Sequence, residues 1–215
     1  MRPTEDPRID GSTATIIVGS DEVGFGAWAG PLVVAAVAAP RDWTDPRVKD
    51  SKKLSERQRE AVYGSFYDTW PKAVVLVSST EIDHQGVWKA LLAAHLEAIH
   101  RVRTQITVEP LVIVDGNLNI EGTIALPKGD QLIPAISLAS IFAKVTRDRI
   151  MVELDKTYPG YDFAKSRGYG VPKHQAALNK LGPCPAHRRS YEPVARAATN
   201  LESPQEEEGW ILDDY

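Results

Sequence analysis

Cysteine is nearly absent from this chain: Cys184 stands alone among 215 residues. An internal disulfide is excluded, and a reducing compartment fits that composition. Long hydrophobic runs are missing too. The longest uncharged apolar stretch, Ala27 to Pro40, contains Gly30 and Pro31 and is too short to cross a bilayer. Met1–Arg8 is not followed by an apolar h-region, so no signal peptide is expected, and a cytoplasmic protein without membrane attachment is the expectation. The histidines (His84, His95, His100, His174, His187) show no zinc-type spacing with the lone cysteine. With 43% hydrophobic and 25% charged residues, the chain has the composition of an ordinary globular protein, and its length fits one domain with a sizeable core.

The net charge of −4 conceals an uneven distribution. From Ala195 to Tyr215 there is one basic residue, Arg196, against six acids. Between Ile141 and Val194 the chain carries ten Lys or Arg against five acids. A basic region is therefore masked in the total by an acidic C-terminal segment. This charge permits nucleic-acid binding without requiring it, since basic helices are often solvated faces. The pattern divides the chain into a loose leader over 1–12, a single domain over 13–194 and an acidic, flexible tail over 195–215. Trp210, Ile211, Leu212 and Tyr215 lie among the acids of that tail, as part of a spacer or of a segment that docks on a partner.

Strands are expected over Thr13–Asp21, Leu32–Ala38, Ala73–Val77, Leu111–Val114 and Thr123–Leu126, from their Val, Ile and Ala content. Ser55-Glu56-Arg57-Gln58 has the form of a capping box and predicts a helix to about Tyr67. Trp88, Leu91, Leu92, His95, Leu96, Ile99 and Val102 recur at helical spacing, which predicts an amphipathic helix over Gly86–Arg103. Further helices are expected over Ile133–Thr157 and Pro172–Leu181. Strands first, then strands alternating with helices, imply a mixed sheet covered by helices, with ligands at strand ends.

Asp21 and Glu22 end the first apolar run and open onto Gly24-Phe25-Gly26-Ala27-Trp28-Ala29-Gly30. Two acids at a strand mouth are costly to bury unless something neutralises them, and a divalent cation is a common partner. Consecutive strand residues point to opposite faces, so for both to serve one cluster the chain must bend there, or Glu22 must use its carbonyl. Asp115-Gly116 reads equally as a turn, and Asp130 as a loop acid before a helix. Asp21 and Asp115 both sit at predicted strand ends and would meet if those strands were neighbours. Four converging carboxylates would suit Mg²⁺ or Mn²⁺, two of which could activate water and stabilise a leaving oxygen.

Other segments keep two readings. Asp50-Ser51-Lys52-Lys53-Leu54 is either a phosphate-binding loop before a helix or a capped helix start with solvated lysines. Tyr169, between Gly168 and Gly170, either stacks on a sugar or base or fills a turn. Arg188 and Arg189 either contact phosphates or form surface ion pairs. His95, on the apolar stripe, reads as packed rather than catalytic, and His100 could cap its helix's C-terminal dipole.

Six segments in order resemble the type 2 ribonuclease H family, ribonuclease HII: VGSDEVGFGAWAGPLVVAAV (18–37), DSKKLSERQRE (50–60), IVDG (113–116), PKGDQLIPAISLASIFAKVTRDRIM (127–151), YPGYDFAKSRGYGVPKH (158–174) and LGPCPAHRRSYEPV (181–194). The resemblance implies an α/β ribonuclease H-like fold, with a five-stranded mixed sheet flanked by helices and a C-terminal helical extension. It implies cleavage of the RNA strand of RNA–DNA hybrids, and incision at ribonucleotides embedded in duplex DNA, leaving 3′-hydroxyl and 5′-phosphate ends. By motif, Asp21, Glu22, Asp115 and Asp130 become the catalytic, metal-binding acids, with Mg²⁺ or Mn²⁺ as cofactor. Lys52 and Lys53 match phosphate-binding positions, Tyr169 a tyrosine on the sugar beyond the junction, and Gly24, Phe25 and Gly26 the loop that senses the 2′-hydroxyl. A monomer is expected.

The family usually reads Gly-Arg-Gly where this chain has Gly24-Phe25-Gly26. Phe has no donor for a phosphate. Phe25 and Trp28 are therefore expected to alter the loop's packing and to weaken discrimination at a single ribonucleotide more than cleavage of long hybrids. One lost charge-assisted hydrogen bond is worth roughly 1.5–3 kcal/mol, about ten- to a hundredfold in rate. The competing readings are a ribonuclease H-like nuclease acting on DNA and a catalytically silent protein that binds hybrids.

Overall fold

A computed structural model describes residues 6–202. Its centre is a five-stranded sheet in the order β3-β2-β1-β4-β5, formed by β1 (Ile16–Val23), β2 (Leu32–Pro40), β3 (Lys72–Val77), β4 (Leu111–Asp115) and β5 (Ile124–Leu126). The first three strands form an antiparallel meander, while β4 lies parallel to β1 and β5 parallel to β4. The sheet is therefore mixed, as expected. The predicted strands are present with ends moved by up to three residues.

Strands β1 and β2 are covered on both sides of the sheet. Val18, Val34 and Ala36 on one face pack against Leu91, Ala94, Ala98 and Val102 of α4 (Val87–Arg103). Val33, Ala35 and Val37 on the other meet Leu138, Ile141 and Phe142 of α5 (Pro134–Thr157) and Val62 and Phe66 of α2 (Glu56–Phe66). The α2 start carries the expected capping box, in which Gln58 N–H donates to Ser55 Oγ and Ser55 N–H donates to Gln58 Oε1. Helix α5 comes so close to β1 that a Cβ at Gly19 would collide with the backbone of Ala135 and Ile136. Only glycine admits that contact.

Differences from the sequence reading fall mainly at the ends. Residues Pro7–Asp10 form a single helical turn, α1, whose Ile9 is fully buried against Ile17 and Ile113. Arg41 fastens it by donating to the Ile9 and Ser12 carbonyls, while Pro7, Arg8, Asp10 and Gly11 stay exposed. A short helix not expected from the sequence, α3 (Ser79–Gln85), follows β3 and opens on a second capping box, Ser78 with Glu81. After α5 come α6 (Phe163–Ser166), α7 (Pro172–Leu181) and α8 (Glu192–Glu202). Helix α8 crosses the boundary placed at residue 194, and Val194 and Ala197 are buried against Leu178, Trp28 and Tyr191. The remainder of the acidic tail, 203–215, lies outside the described residues. Among the described residues no helix is long and apolar enough to cross a membrane.

Candidate active site

Parallel pairing of β1 with β4 runs to the Ser20–Val114 pair. Asp21 and Asp115 are each one residue further on, so two carboxylates stand side by side at the last residue of β4, two residues before β1 ends. The strand does not bend there: Asp21 and Glu22 remain in regular register with Ala35 and Val34. Their side chains leave opposite faces of the sheet, Asp21 toward α5 and Glu22 toward α4. Both nevertheless reach one cavity of about 280 Å³, because it opens at the strand ends where the two faces meet. Its lining includes Asp21, Glu22, Asp115, Lys52, Arg59, Lys144 and Tyr169.

The acids repel one another. Burial, and then the charges of Glu22 and Asp115, push the Asp21 carboxyl well above the usual carboxylate range; the Ser140 hydroxyl and the Glu22 N–H (2.8 Å from Oδ1) offset part of this. Asp115 is raised first by burial and also by Glu22, although Asp130 N–H donates to its Oδ1 at 3.2 Å. Asp130, on the turn Gly129–Gln131 before α5, is raised by burial and by Asp115, against the lowering effect of Lys52. Its Oδ2 is buried with no hydrogen-bond partner, and Lys52 Nζ stands 3.8 Å away. As these side chains lie, no group of three His, Cys, Asp or Glu among the described residues could hold a metal ion. The chemistry still fits a cation. The donors are all carboxylate oxygens, one is orphaned, and their shared deficit is positive charge, which suits a hard ion such as Mg²⁺ or Mn²⁺.

Cations surround the acids. Asp50 accepts the Lys52 N–H and shapes the turn Ser51–Lys53 that carries Lys52 to the cavity. Lys53 points elsewhere, 3.8 Å from Asp50 and into a neighbouring cleft lined by Thr44, Asp45 and Gln131. Arg59, on α2, is held by the Ser51 and Leu54 carbonyls at 3.0 and 2.6 Å. Lys144, on α5, pairs with Asp148 at 2.7 Å, and burial lowers its pKa. Sequence reasoning missed Arg59 and Lys144. Helical spacing from Ser140, with i,i+4 partners Lys144 and Asp148, was the available signal.

The glycine loop is held from behind by two arginines, both fully buried. Arg147, on α5, donates to the carbonyls of Pro31 (2.8 Å), Arg167 (2.8 Å) and Ala29 (3.0 Å). Burial lowers its pKa to about 10, so it remains charged near neutrality. Arg188 donates to Gly30 O (3.0 and 3.1 Å) and Phe25 O (2.9 Å), and the latter also accepts from Tyr191 OH at 2.6 Å. Arg188 is thus neither a phosphate contact nor a surface ion pair; desolvation is offset by carbonyls aimed at its fork. Gly24, at φ +91°, lies directly over the Arg147 guanidinium, where a Cβ would collide. Gly26 faces open space.

Phe25 turns away from the basic side of the cavity. Its ring meets Trp88 edge-on, with centroids 4.7 Å apart, and with Glu22, Leu91, Asp115 and Asn119 it lines a second cavity of about 300 Å³. The Trp28 ring lies over Gly170 and near His174, and the Trp28 backbone N–H donates to Gly168 O at 2.8 Å. The loop is thereby joined to the segment carrying Tyr169.

Behind Tyr169 the proton positions form one consistent chain. Tyr169 O can only accept, so His174 Nδ1 carries a proton and its Nε2 accepts from His187 Nε2–H at 3.0 Å; His187 Nδ1 accepts from Cys184 N–H. Both histidines are neutral. Burial, then the neighbouring His174, brings His187 down to about 4, and burial lowers His174.

Two outcomes follow from these charges. The folded chain refuses a proton at His187 that the unfolded chain takes up below about pH 6.5, so stability falls on acidification toward pH 4, by on the order of 3 kcal/mol from this residue. Denaturant titrations between pH 7 and 4.5 should show a shallower fall for His187→Asn than for wild type. Asp21 has the opposite sign: its folded pKa is raised, so its contribution to stability is lost as pH rises through the carboxylate range. Asp21→Asn should therefore melt several degrees above wild type in EDTA at pH 7, and the gap should narrow when Mg²⁺ is added.

Comparisons with known proteins show the family. The family model for ribonuclease HII matches residues 18–194. Ribonuclease HII of Dichelobacter nodosus is 43% identical over 189 residues, covering 86% of this chain and 98% of that protein. That of Thermus thermophilus is 42% identical over 186 residues, covering 85% and 89%. The crystal structure of ribonuclease H2 from Pyrococcus horikoshii superposes with a TM-score of 0.74 at 26% identity, covering 87% of this chain and 99% of that one. With the sheet order and the extra C-terminal helices, these matches establish that the chain belongs to the ribonuclease HII family.

Proposed function

We propose that the chain is an endoribonuclease that cuts the RNA strand of RNA–DNA hybrids and incises duplex DNA at embedded ribonucleotides, using Mg²⁺ or Mn²⁺. The observation that carries this reading is the composition of one cavity: Asp21, Glu22 and Asp115 beside Lys52, Arg59, Lys144 and Tyr169. Acids short of positive charge, cations for phosphate and an aromatic ring for a sugar are the parts that phosphodiester hydrolysis requires. Asp21, Glu22, Asp115 and Asp130 would hold the ions, whose chemistry is activation of water and neutralisation of charge on the leaving oxygen.

The chain's own groups divide the remaining work. Lys52 and Arg59 draw the phosphate toward the acids; the Ser51 and Leu54 carbonyls hold the Arg59 guanidinium in place, and Asp50 fixes the turn that carries Lys52. Tyr169, with the Arg147 guanidinium 5.4 Å from its ring centre, offers a face to the sugar next to the cut. The loop carbonyls are tied to Arg147 and Arg188, which leaves the N–H groups of Gly24–Gly26 to meet a ribose 2′-hydroxyl. Recognition by backbone groups survives the replacement of the family's arginine by Phe25. A charged contact at that position does not.

Two labelled duplexes, one with a single ribonucleotide and one with a long RNA tract, test the reading in Mg²⁺ and Mn²⁺. Wild type should cut both and leave all-DNA duplex intact; equal cutting of all-DNA would mark a DNA nuclease, and binding without cutting a silent hybrid binder. Asp115→Asn should lower cation-dependent cleavage more than about a hundredfold. Phe25→Arg should raise the single-ribonucleotide rate relative to the long-tract rate by about ten- to a hundredfold, and an unchanged ratio removes Phe25 as the specificity determinant.

A further inference from the structure

His95 is a fully buried histidine on the apolar stripe of α4, among Leu91, Ala94, Ala98 and Ile99. A leucine or methionine there would complete the stripe with no polar atom to satisfy. The imidazole instead spans two residues of β1. Its Nδ1 is 2.8 Å from Ser20 Oγ, and its Nε2 is 3.4 Å from Glu22 Oε2. Ser20 and Glu22 are two residues apart on one strand and so leave the same face. One helical side chain can therefore touch both.

We propose that His95 is a positioning residue that orients the Glu22 carboxylate toward the ion site. The inference rests on the functional reading above, in which Glu22 is a metal ligand. Asp21 is held by the Glu22 N–H and by the Ser140 hydroxyl. The Glu22 carboxylate has no such support from the backbone, and its surroundings on this face include Phe25, Trp88 and Leu91. Among the described residues, His95 Nε2 is the one Lys, Arg or His nitrogen within 4.0 Å of that carboxylate.

One of the available proton arrangements allows this role. A carboxylate only accepts, so the nitrogen facing it is best protonated, and the Ser20 hydroxyl can donate to Nδ1 and hold that tautomer. Ser20 Oγ also lies 3.0 Å from Ala35 O, so its single proton has two acceptors within reach. Nε2 itself is buried without a hydrogen bond at the present 3.4 Å. A donor in that position favours rotamers of Glu22 that bring the carboxylate closer, and so restricts its range. Outer partners that orient metal ligands commonly change metal affinity by about ten- to a hundredfold.

The test is calorimetric titration of Mn²⁺ into the full chain without substrate, alongside steady-state cleavage. His95→Met should weaken Mn²⁺ binding about ten- to a hundredfold and lower kcat, with the KM for duplex within about twofold of wild type. His95→Gln, which keeps an N–H donor, should recover most of both losses. Ser20→Ala, which leaves the core unchanged in shape, should show a smaller loss in the same direction, and it carries the test should the His95 variants not fold. A folded His95→Met with wild-type Mn²⁺ affinity overturns the proposal, as does His95→Gln behaving like His95→Met, or Ser20→Ala binding Mn²⁺ as wild type does. A wild type that neither binds Mn²⁺ nor cleaves overturns the functional reading instead.

Discussion

The parallel pairing of β1 with β4 is the constraint on which the site depends. It sets Asp21 beside Asp115 where β4 ends, and no side-chain contact is needed to bring them together. The cost is electrostatic. Burial and mutual repulsion raise the pKa values of Asp21, Asp115 and Asp130, so the fold carries a local charge imbalance. Lys52 relieves part of it, at 3.8 Å from a buried carboxylate oxygen that has no hydrogen bond. Stability is given up at a functional centre and recovered elsewhere, as in the apolar layers on both faces of the sheet.

The loop beside the acids is organised by a different means. Arg147 and Arg188 come from elements far apart in sequence, yet both direct their donors at loop carbonyls. Their burial would be prohibitive without those acceptors. With them, the loop backbone is fixed from behind while its opposite side stays open, as at Gly26. This division explains how Phe25 is tolerated. Its carbonyl is held by Arg188 and Tyr191 whatever its side chain, and its ring is free to pack on Trp88.

Much of this was legible in the sequence, for identifiable reasons. Asp21-Glu22 stood out because two acids closing a buried strand have no structural purpose, and the stripe on α4 and the capping box on α2 are local patterns. From the residues alone the meeting of Asp21 and Asp115 stayed conditional, since adjacency of β1 and β4 is a property of the whole sheet; the grouping of all four acids came from the family resemblance. Arg188 was read as a surface residue because Arg-Arg-Ser looks the same whether its guanidinium meets water or carbonyls. The helical turn at Pro7–Asp10 gave no periodic signal, although a single buried isoleucine, Ile9, is enough to dock it. The basic stretch from 141 to 194 also overstated the charge available to a substrate, because Arg147 and Arg188 are inside the protein. His95 was read as packed, and it is; its reach to Glu22 depends on how α4 lies across β1.

If Asp21, Glu22 and Asp115 hold a hard divalent cation as proposed, crystals soaked in Mn²⁺ will show an anomalous peak at the manganese edge among these three carboxylates, with Glu22 and Asp130 moved toward it. A map with no peak there at millimolar Mn²⁺, or with manganese bound only at other positions, means that these acids do not form a cation site.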